Sequence, residues 1–325
     1  MVDATNLIIN FGNQYPLLFN IIIVIISLLI LAKSADLLVY SISHYAKLLG
    51  ISEYLIGFVA LAIGTSLPEL MASVTGTFLG SGEIVFGTIL GSNLFKIPLL
   101  GLVLIIGTKL AASSKTIGNT PILTLVLSIF PVILVIDGYL SRFDGLLLLA
   151  SFIYYLASLW QTEKTLGKMK KNVKFKTLYK DILIFTGSLA ALLLSSRFLV
   201  ISSLHISNIL DISPFIIGIV FIGIGGSMPE LTVQLRSIFQ NHKELIFGNV
   251  FGSIVANSTF VLAIVALIKP FSVSFPSLIL TSIFLVAGLF YTLLVISHGE
   301  LNWKHGMIMI IFYVISIILE MIVGL

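Results

Sequence analysis

Apolar residues along this chain fall into ten long blocks separated by short polar segments. Most blocks hold the roughly 18 to 25 residues that an α-helix needs to cross about 30 Å of hydrocarbon, and they are too long for the strands of a membrane barrel. The pattern therefore predicts an all-α chain of ten membrane-spanning helices. Their predicted ranges are 17–43, 53–79, 84–106, 120–136, 143–160, 181–204, 214–239, 245–268, 277–297 and 306–324.

The composition supports a membrane protein. With 58% hydrophobic and only 10% charged residues, the chain is too apolar for an ordinary water-soluble domain, and the lipid bilayer is its expected partner. The chain contains no Cys, which excludes disulfides, thiolate metal sites and cysteine nucleophiles. A bound metal ion would therefore be held by oxygen or imidazole ligands.

The basic residues are concentrated in one segment between predicted helices. Seven of the 18 lie within 161–180, and such clusters mark the cytoplasmic side of a membrane protein. The net charge of +4 therefore reports topology, and we expect no nucleic-acid partner. Segment 1–16 has no Lys or Arg, unlike a cleaved signal peptide, so the first helix is expected to remain. We expect a multi-pass protein of a prokaryotic plasma membrane, with the basic segment cytoplasmic and both termini extracellular.

The chain contains an internal repeat. Residues 51–96 align without a gap to residues 212–257 at a constant offset of 161, and 17 of the 46 pairs are identical. Because the two copies begin five predicted helices apart, an odd number, they enter the membrane in opposite orientations. Such inverted repeats are the architecture of secondary transporters, whose substrate site lies near the midplane. The sequence predicts a first five-helix repeat over 1–160, a basic linker over 161–180 and a second repeat over 181–325.

Each copy carries a glycine and proline motif in the middle of a predicted helix. The motifs are GTSLPE at 64–69 and GGSMPE at 225–230. Proline removes an N–H and clashes with the carbonyl one turn back, so each helix should break there. The backbone carbonyls near Ala62 and Gly223 would then lack helical partners, and at membrane depth such groups require a cavity or a cation.

The motifs also place one carboxylate in each copy at membrane depth. A carboxylate at the bilayer centre costs at least about 2.5 to 3.5 kcal/mol, which favours a function for Glu69 and Glu230 over a structural role at helix ends. Hydroxyl groups lie beside them at Thr65, Ser66 and Ser227. Hard oxygen ligands of this kind suit Na⁺, Ca²⁺ or another hard cation, and a carboxylate can also bind a proton.

A second motif follows in each copy. Small residues at i and i+4 occur at 87–91 and 248–252, a spacing that allows two helices to approach closely. The serine after each motif shares a helix face with a polar residue one turn later. These pairs are Ser92 with Lys96, and Ser253 with Asn257.

Together, these motifs resemble the two α-repeats of the calcium/cation antiporter superfamily, especially its sodium/calcium exchangers, across essentially the whole chain. The resemblance implies a ten-helix exchanger without cofactor or enzymatic activity, in which Glu69 and Glu230 are the central metal ligands. It also implies a surrounding shell of hydroxyls and backbone carbonyls, from Thr65, Ser66, Ser92, Ser227, Ser253, Ala62 and Gly223.

The chain departs from this family pattern at its site. Lys96 and Asn257 stand where sodium/calcium exchangers usually show Asn or Asp, and Gly226 replaces a usual Thr. Two carboxylates and one ammonium give a formal charge of −1, which is poor for a divalent ion. Lys96 lies about 12 residues, or roughly 18 Å of rise, from either end of its helix, too far for its side chain to reach water. We therefore expect Lys96 to pair with Glu69 or Glu230, as a tethered cation or as a titrating group.

The sequence thus predicts a secondary cation antiporter that works by alternating access, with Na⁺, Ca²⁺ or H⁺ as transported ions and with Lys96 modifying coupling or selectivity. A proton-coupled cation exchanger remains an alternative. A cation channel would need a continuous pore and a filter. A membrane enzyme would need Ser92 and Lys96 to act as nucleophile and base, at a spacing that is common in helices.

Overall fold

The described part of the chain folds into a bundle of helices. The computed structural model describes residues 12–48, 66–107, 110–111, 120–162, 175–228, 230–231, 234–235, 243–273, 275–297 and 300–323. Long helices form because each apolar block satisfies its own backbone hydrogen bonds, which the interior of a bilayer requires.

Before residue 211, the described part of the chain contains six helices. They are α1 (Pro16–Leu48), α2 (Leu67–Phe78), α3 (Gly82–Gly107), α4 (Thr120–Leu134), α5 (Arg142–Thr162) and α6 (Phe175–Leu210). The last of these begins the second predicted repeat. Helix α5 ends at Thr162 and α6 begins at Phe175, so both helices extend into the range 161–180 that was predicted as a basic linker.

The second half contains helices that change type along their length. A short α7 (Pro214–Ile217) continues as π-helix over Gly218–Gly223 and then as α8 (Ile224–Gly226). Helix α9 (Lys243–Val255) continues as π-helix over Ala256–Val261 and then as α10 (Leu262–Ile268). The last two helices are α11 (Phe275–Ser297) and α12 (Trp303–Val323).

Six described helices are long and apolar enough to cross a membrane. They cover Pro16–Leu37, Gly82–Ile106, Ile182–Leu210, Ile246–Ile268, Leu278–Ser297 and Trp303–Ile322. Shorter apolar helices at Ile122–Leu134 and Pro214–Gly226 fall within two further predicted spans. The predicted span 143–160 is helical within α5, and the first part of the span 53–79 lies outside the described residues.

Two short antiparallel pairings mark the opposite ends of the bundle. Strands β1 (Leu110–Ala111) and β4 (Glu300–Leu301) pair at one end, and β2 (Tyr139–Leu140) and β3 (Phe271–Ser272) pair at the other. Helix α5 runs from β2 to the first end, where α5 ends at Thr162 and α6 begins at Phe175. We name that end the basic end. The opposite end, which also holds the turn between α2 and α3, is the turn end, since Leu79–Glu83 and Ser272 line one pocket there.

Helix α3 lies in the centre of the bundle. Of its membrane span, 78% is buried, the same share as in Ile246–Ile268, whereas only 28% of the α1 span is buried. Helix α3 packs against α2, α11, α12 and the π-helical segment Gly218–Gly223. The outer helices instead expose large apolar side chains such as Leu29 and Ile322, as expected for a lipid-facing surface.

Glycines bring α3 into direct backbone contact with the π-helical segment that follows α7. A Cβ on Gly91 would lie 2.5 Å from Ile219 Cα, and one on Gly223 would lie 2.8 Å from the Ser92 amide nitrogen. A Cβ on Gly87 would meet the Phe215 carbonyl. The predicted role of the motif at 87–91 in close helix packing is therefore confirmed.

We expect Gly91→Ala to destabilise the protein, because the facing atoms are backbone and cannot rotate away. Overpacking of this kind costs about 1 to 3 kcal/mol, and thermal unfolding in detergent would measure it as a lower Tm. Gly187→Ala is the matched control, since Gly187 is an exposed glycine within α6 and its added Cβ meets no described atom within 4 Å. Equal Tm values for both variants would contradict this packing.

Candidate functional site

The glycine and proline motif of the second copy interrupts regular helix, as predicted, whereas residues 49–65, before Ser66 in the first copy, lie outside the described residues. In the second copy, the π-helix Gly218–Gly223 and the short α8 end in a turn at Ser227. In the first copy, Ser66 lies in a turn directly before α2. The Gly223 carbonyl, predicted to lack a helical partner, accepts a hydrogen bond from Ser227 Oγ at 2.9 Å. Thr65 and Ala62 lie outside the described residues.

Glu69 is the centre of a buried hydroxyl cluster. Ser92 Oγ donates to Glu69 Oε1 at 2.7 Å, and Ser227 Oγ lies 3.5 Å from the same oxygen. The Ser92 and Ser227 hydroxyl oxygens are 2.8 Å apart. Asn257 Nδ2 donates to Ser92 Oγ at 3.2 Å. Because these residues come from both copies, Ser92 joins the two halves of the site.

Lys96 is fully buried and forms an ion pair across the two copies. Its Nζ lies 3.4 Å from Glu230 Oε1, and both side chains have 0% exposure. The same Nζ lies 3.4 Å from Asn93 Oδ1, and Asn93 Nδ2 donates to Ser258 Oγ at 2.8 Å. The structure therefore selects Glu230 from the two predicted partners, and Lys96 does not extend to the membrane surface.

Glu230 is less well hydrogen-bonded than Glu69. Ser253 lies beside its carboxylate, but the Ser253 hydroxyl donates to the Val250 carbonyl at 3.3 Å. Neither Glu230 oxygen has a hydrogen-bond partner among the described residues, so the Lys96 ammonium provides its closest charged contact. Breaking such a buried pair is costly, because it leaves a charge without compensation.

Several oxygens at the site remain available to a ligand. Glu69 Oε2 and Asn257 Oδ1 are buried and have no hydrogen-bond partner among the described residues. Within that part of the chain, no group of three or more His, Cys, Asp or Glu residues is positioned to hold a metal ion. The site instead combines two carboxylates with neutral oxygens, and Lys96 reduces its formal charge to −1.

Sequence reasoning missed two residues of this site, and it named a third, Gly226, only as a departure from the family pattern. Asn93 and Ser258 link Lys96 to the π-helix Ala256–Val261. Gly226 lies against Glu69, because a Cβ there would be 3.2 Å from Glu69 Oε1. The position of Asn93 directly after Ser92 was a usable signal, whereas nothing in the repeat pointed to Ser258.

The chain matches one protein family in both of its halves. The matched family is described as sodium/calcium exchanger protein, and the matches cover residues 19–161 and 180–321. They leave out residues 1–18, 162–179 and 322–325, which are the short termini and nearly all of the basic segment.

Individual proteins show the same likeness. The chain is 27% identical to the sodium/calcium exchanger MaX1 of Methanosarcina acetivorans, over 91% of this chain and 96% of that protein. It is 30% identical to the inner membrane protein YrbG of Escherichia coli, over 76% of this chain and 79% of that protein. Among solved structures, the sodium-calcium exchanger NCX_Mj superposes with a TM-score of 0.64 at 26% identity, covering 93% of this chain and 99% of that one.

Proposed function

Because this integral multi-pass membrane protein belongs to the sodium/calcium exchanger family of cation antiporters, we propose that it binds its transported cation between Glu69 and Glu230. The observation that supports this most strongly is the pair of fully buried carboxylates, one from each copy of the repeat, beside the buried ammonium of Lys96. Buried charges of this kind at membrane depth are expensive and are kept where ions pass.

The proposed architecture is ten spans arranged as two inverted five-helix repeats, over 1–160 and 181–325. Two matches to the same family, one in each half, support this division. The basic linker is proposed to be cytoplasmic, as in a prokaryotic plasma membrane, with both termini outside. The basic end of the bundle then faces the cytoplasm, and the turn end faces outward.

The proposed ligands are the oxygens that surround the two carboxylates. Glu69 Oε2 and Asn257 Oδ1 have no other described partner, and the hydroxyls of Ser92 and Ser227 lie against the Glu69 carboxylate. Thr65, Ser66, Ser253 and the carbonyls of Ala62 and Gly223 complete the proposed set.

The charge of the site favours a monovalent cation. Two unit charges 4 Å apart interact by about 4 kcal/mol at an effective dielectric constant near 20, so the Lys96 ammonium repels an ion placed beside Glu230 by an amount of that order. Lys96 therefore takes the place of one bound cation. We propose Na⁺ as the ion bound at Glu69. Proton coupling is the second candidate, because a carboxylate without an ammonium partner can also accept a proton.

The contacts of Lys96 argue against a membrane enzyme. A Ser and Lys dyad requires the Lys amine to reach the Ser hydroxyl. Within the described part of the chain, Lys96 instead contacts Glu230 and Asn93, while the Ser92 hydroxyl bonds to Glu69.

Flux measurements in liposomes test this function against a channel. Purified protein would be reconstituted, and the movements of radioactive Na⁺, radioactive Ca²⁺ and protons would be followed. An antiporter requires a countertransported cation on the opposite side, so Na⁺ uptake should stop when that cation is omitted and the membrane potential is clamped. Continued uptake under those conditions would indicate a channel and contradict the proposal.

A further inference from the structure

A second layer of buried polar residues lies next to the central site in each copy. The side chain of Glu69 contacts Ser92, and that of Glu230 lies beside Ser253. In each copy the glutamate and the serine lie on consecutive helical segments that run antiparallel. The facing positions one turn closer to the connection between the two segments are therefore four residues after the glutamate on the first segment and four residues before the serine on the second. These positions hold Ser73 and Thr88 in the first copy, and Gln234 and Asn249 in the second.

The hydroxyls of Ser73 and Thr88 are buried without hydrogen-bond partners among the described residues, and in the second-copy pair the same holds for two whole amides. Gln234 is 0% exposed and Asn249 is 1% exposed. None of their four side-chain nitrogen and oxygen atoms has a hydrogen-bond partner among the described residues. Leaving a buried amide without a partner costs about 1 to 3 kcal/mol. Native proteins rarely keep such groups unless a ligand or water occupies the space beside them.

The pair lies on one side of the central site. In the second copy, the chain runs from Glu230 past Gln234 to the start of α9, and α9 then runs from Lys243 past Asn249 to Ser253. Lys243 lies at the basic end, because the same helical span leads through α10 to β3 at the turn end. Gln234 and Asn249 therefore lie between the central carboxylates and the basic end.

We propose that the side-chain oxygens of Gln234 and Asn249 form a second, uncharged cation site, about one helical turn or 5.4 Å from Glu230, through which a monovalent cation passes to and from the basic end. This inference rests on the proposed function, because the cation reaches the second site only by way of the central one. Amide oxygens are hard ligands that suit an alkali cation.

This second site is suited to the passage of a cation because it carries no charge. A transported ion must bind well enough to enter a site and weakly enough to leave it. The central site, with its formal charge of −1, attracts cations towards it, and two neutral amides can replace part of the hydration shell without trapping the ion. The equivalent pair in the first copy, Ser73 and Thr88, offers only hydroxyls. The two routes into the central site are thus chemically different.

Transport measured separately from each face tests the proposal. Because the chain has no Cys, Thr165→Cys in the basic segment supplies a unique label that reports protein orientation in membrane vesicles. In that background, the double variant Gln234→Leu with Asn249→Leu is compared with Ser73→Ala with Thr88→Val. Ser316→Ala serves as the control, since Ser316 is buried and donates only to the Tyr313 carbonyl among the described contacts.

When Na⁺ is added at the basic end, the double variant Gln234→Leu with Asn249→Leu, the amide variant, should raise the KM for Na⁺ about tenfold. This rise is equivalent to the loss of about 1.4 kcal/mol of binding free energy. The KM of the amide variant for Na⁺ added at the turn end should stay within about twofold. The double variant Ser73→Ala with Thr88→Val should leave the KM at the basic end unchanged, as should Ser316→Ala. A rise of equal size at both faces, or no rise at all, would overturn the second site, and occupation by water alone would give the latter result.

A milder variant keeps the test decisive if the double variant does not fold. Asn249→Ser retains an oxygen but shortens its reach, so it should raise the KM at the basic end by about threefold, and an unchanged KM would again overturn the proposal. Failure of the proposed function would give a different experimental result. In that case the wild-type protein would show no exchange, or its exchange would be insensitive to Glu69→Gln, whatever residue stands at position 234.

Discussion

Replacing either Glu69 or Glu230 with Gln is expected to abolish cation exchange while leaving the protein folded. Glutamine keeps the size and hydrogen-bonding capacity of the carboxylate but removes its charge. The site would then have a formal charge of zero, because Lys96 neutralises the one remaining carboxylate. Losing an interaction of about 4 kcal/mol corresponds to about a thousandfold weaker cation binding.

The two variants should differ in stability. Glu230→Gln leaves the Lys96 ammonium without its partner at 3.4 Å, and breaking a buried ion pair on one side typically costs about 3 to 5 kcal/mol. Glu69→Gln removes no ion pair among the described contacts and retains an acceptor for Ser92. We therefore expect Glu230→Gln to have the lower Tm of the two.

A third glutamate provides the matched control for exchange. Glu320 is buried on α12 and accepts a hydrogen bond from Thr281, but it lies outside the proposed site. Glu320→Gln should retain exchange in the same liposome assay that measures the other two variants. Near-normal flux in Glu69→Gln or Glu230→Gln would mean that the replaced carboxylate is not part of the cation site.

Replacing Lys96 with Asn is expected to increase the affinity for Ca²⁺ by at least about tenfold. Ca²⁺ prefers six to eight oxygen ligands, often with several carboxylates, and is repelled by an ammonium beside Glu230. Lys96→Asn changes the formal charge of the site from −1 to −2 and adds an amide oxygen. Combining it with Asn257→Asp changes the charge to −3 and should raise the affinity further.

Calorimetric titration of Ca²⁺ into the wild-type protein and the two variants measures this effect. Lys304→Asn is a suitable control, because Lys304 is an exposed residue near the start of α12, beside the Trp303 ring. It should bind Ca²⁺ like the wild-type protein. Equal affinities in the wild type, Lys96→Asn and the double variant would mean that the Lys96 charge does not act on the bound ion.

Much of this architecture could be predicted from the sequence, because the relevant signals are local. Apolar blocks of membrane length indicated the helices, and the predicted family is confirmed by matches in both halves of the chain. The glycines at 87–91 predicted a close helix contact, which the structure confirms with Ile219 as the facing residue. The expectation that Lys96 pairs with a carboxylate followed from its depth in the helix.

The remaining features depend on contacts between residues distant in the sequence. The choice of Glu230 over Glu69 as the Lys96 partner is set by how α3 packs against the second copy. The repeat alignment could not predict the hydrogen bond from Asn93 to Ser258, because the aligned residues in the other copy are Ile254 and Ile97. A π-helix depends on i to i+5 hydrogen bonds that tertiary packing selects, so the apolar pattern of α9 and α10 could not indicate one over Ala256–Val261.

In the proposed mechanism, a site with a formal charge of −1 alternates between the two faces with a monovalent cation bound. Self-exchange in proteoliposomes tests it most directly, with the same cation on both sides and a radioactive tracer on one. We expect the wild-type protein to exchange Na⁺ for Na⁺ much faster than Ca²⁺ for Ca²⁺, and we expect Lys96→Asn to reduce or reverse this preference for Na⁺. Rapid Ca²⁺ self-exchange by the wild-type protein, unchanged in Lys96→Asn, would contradict it.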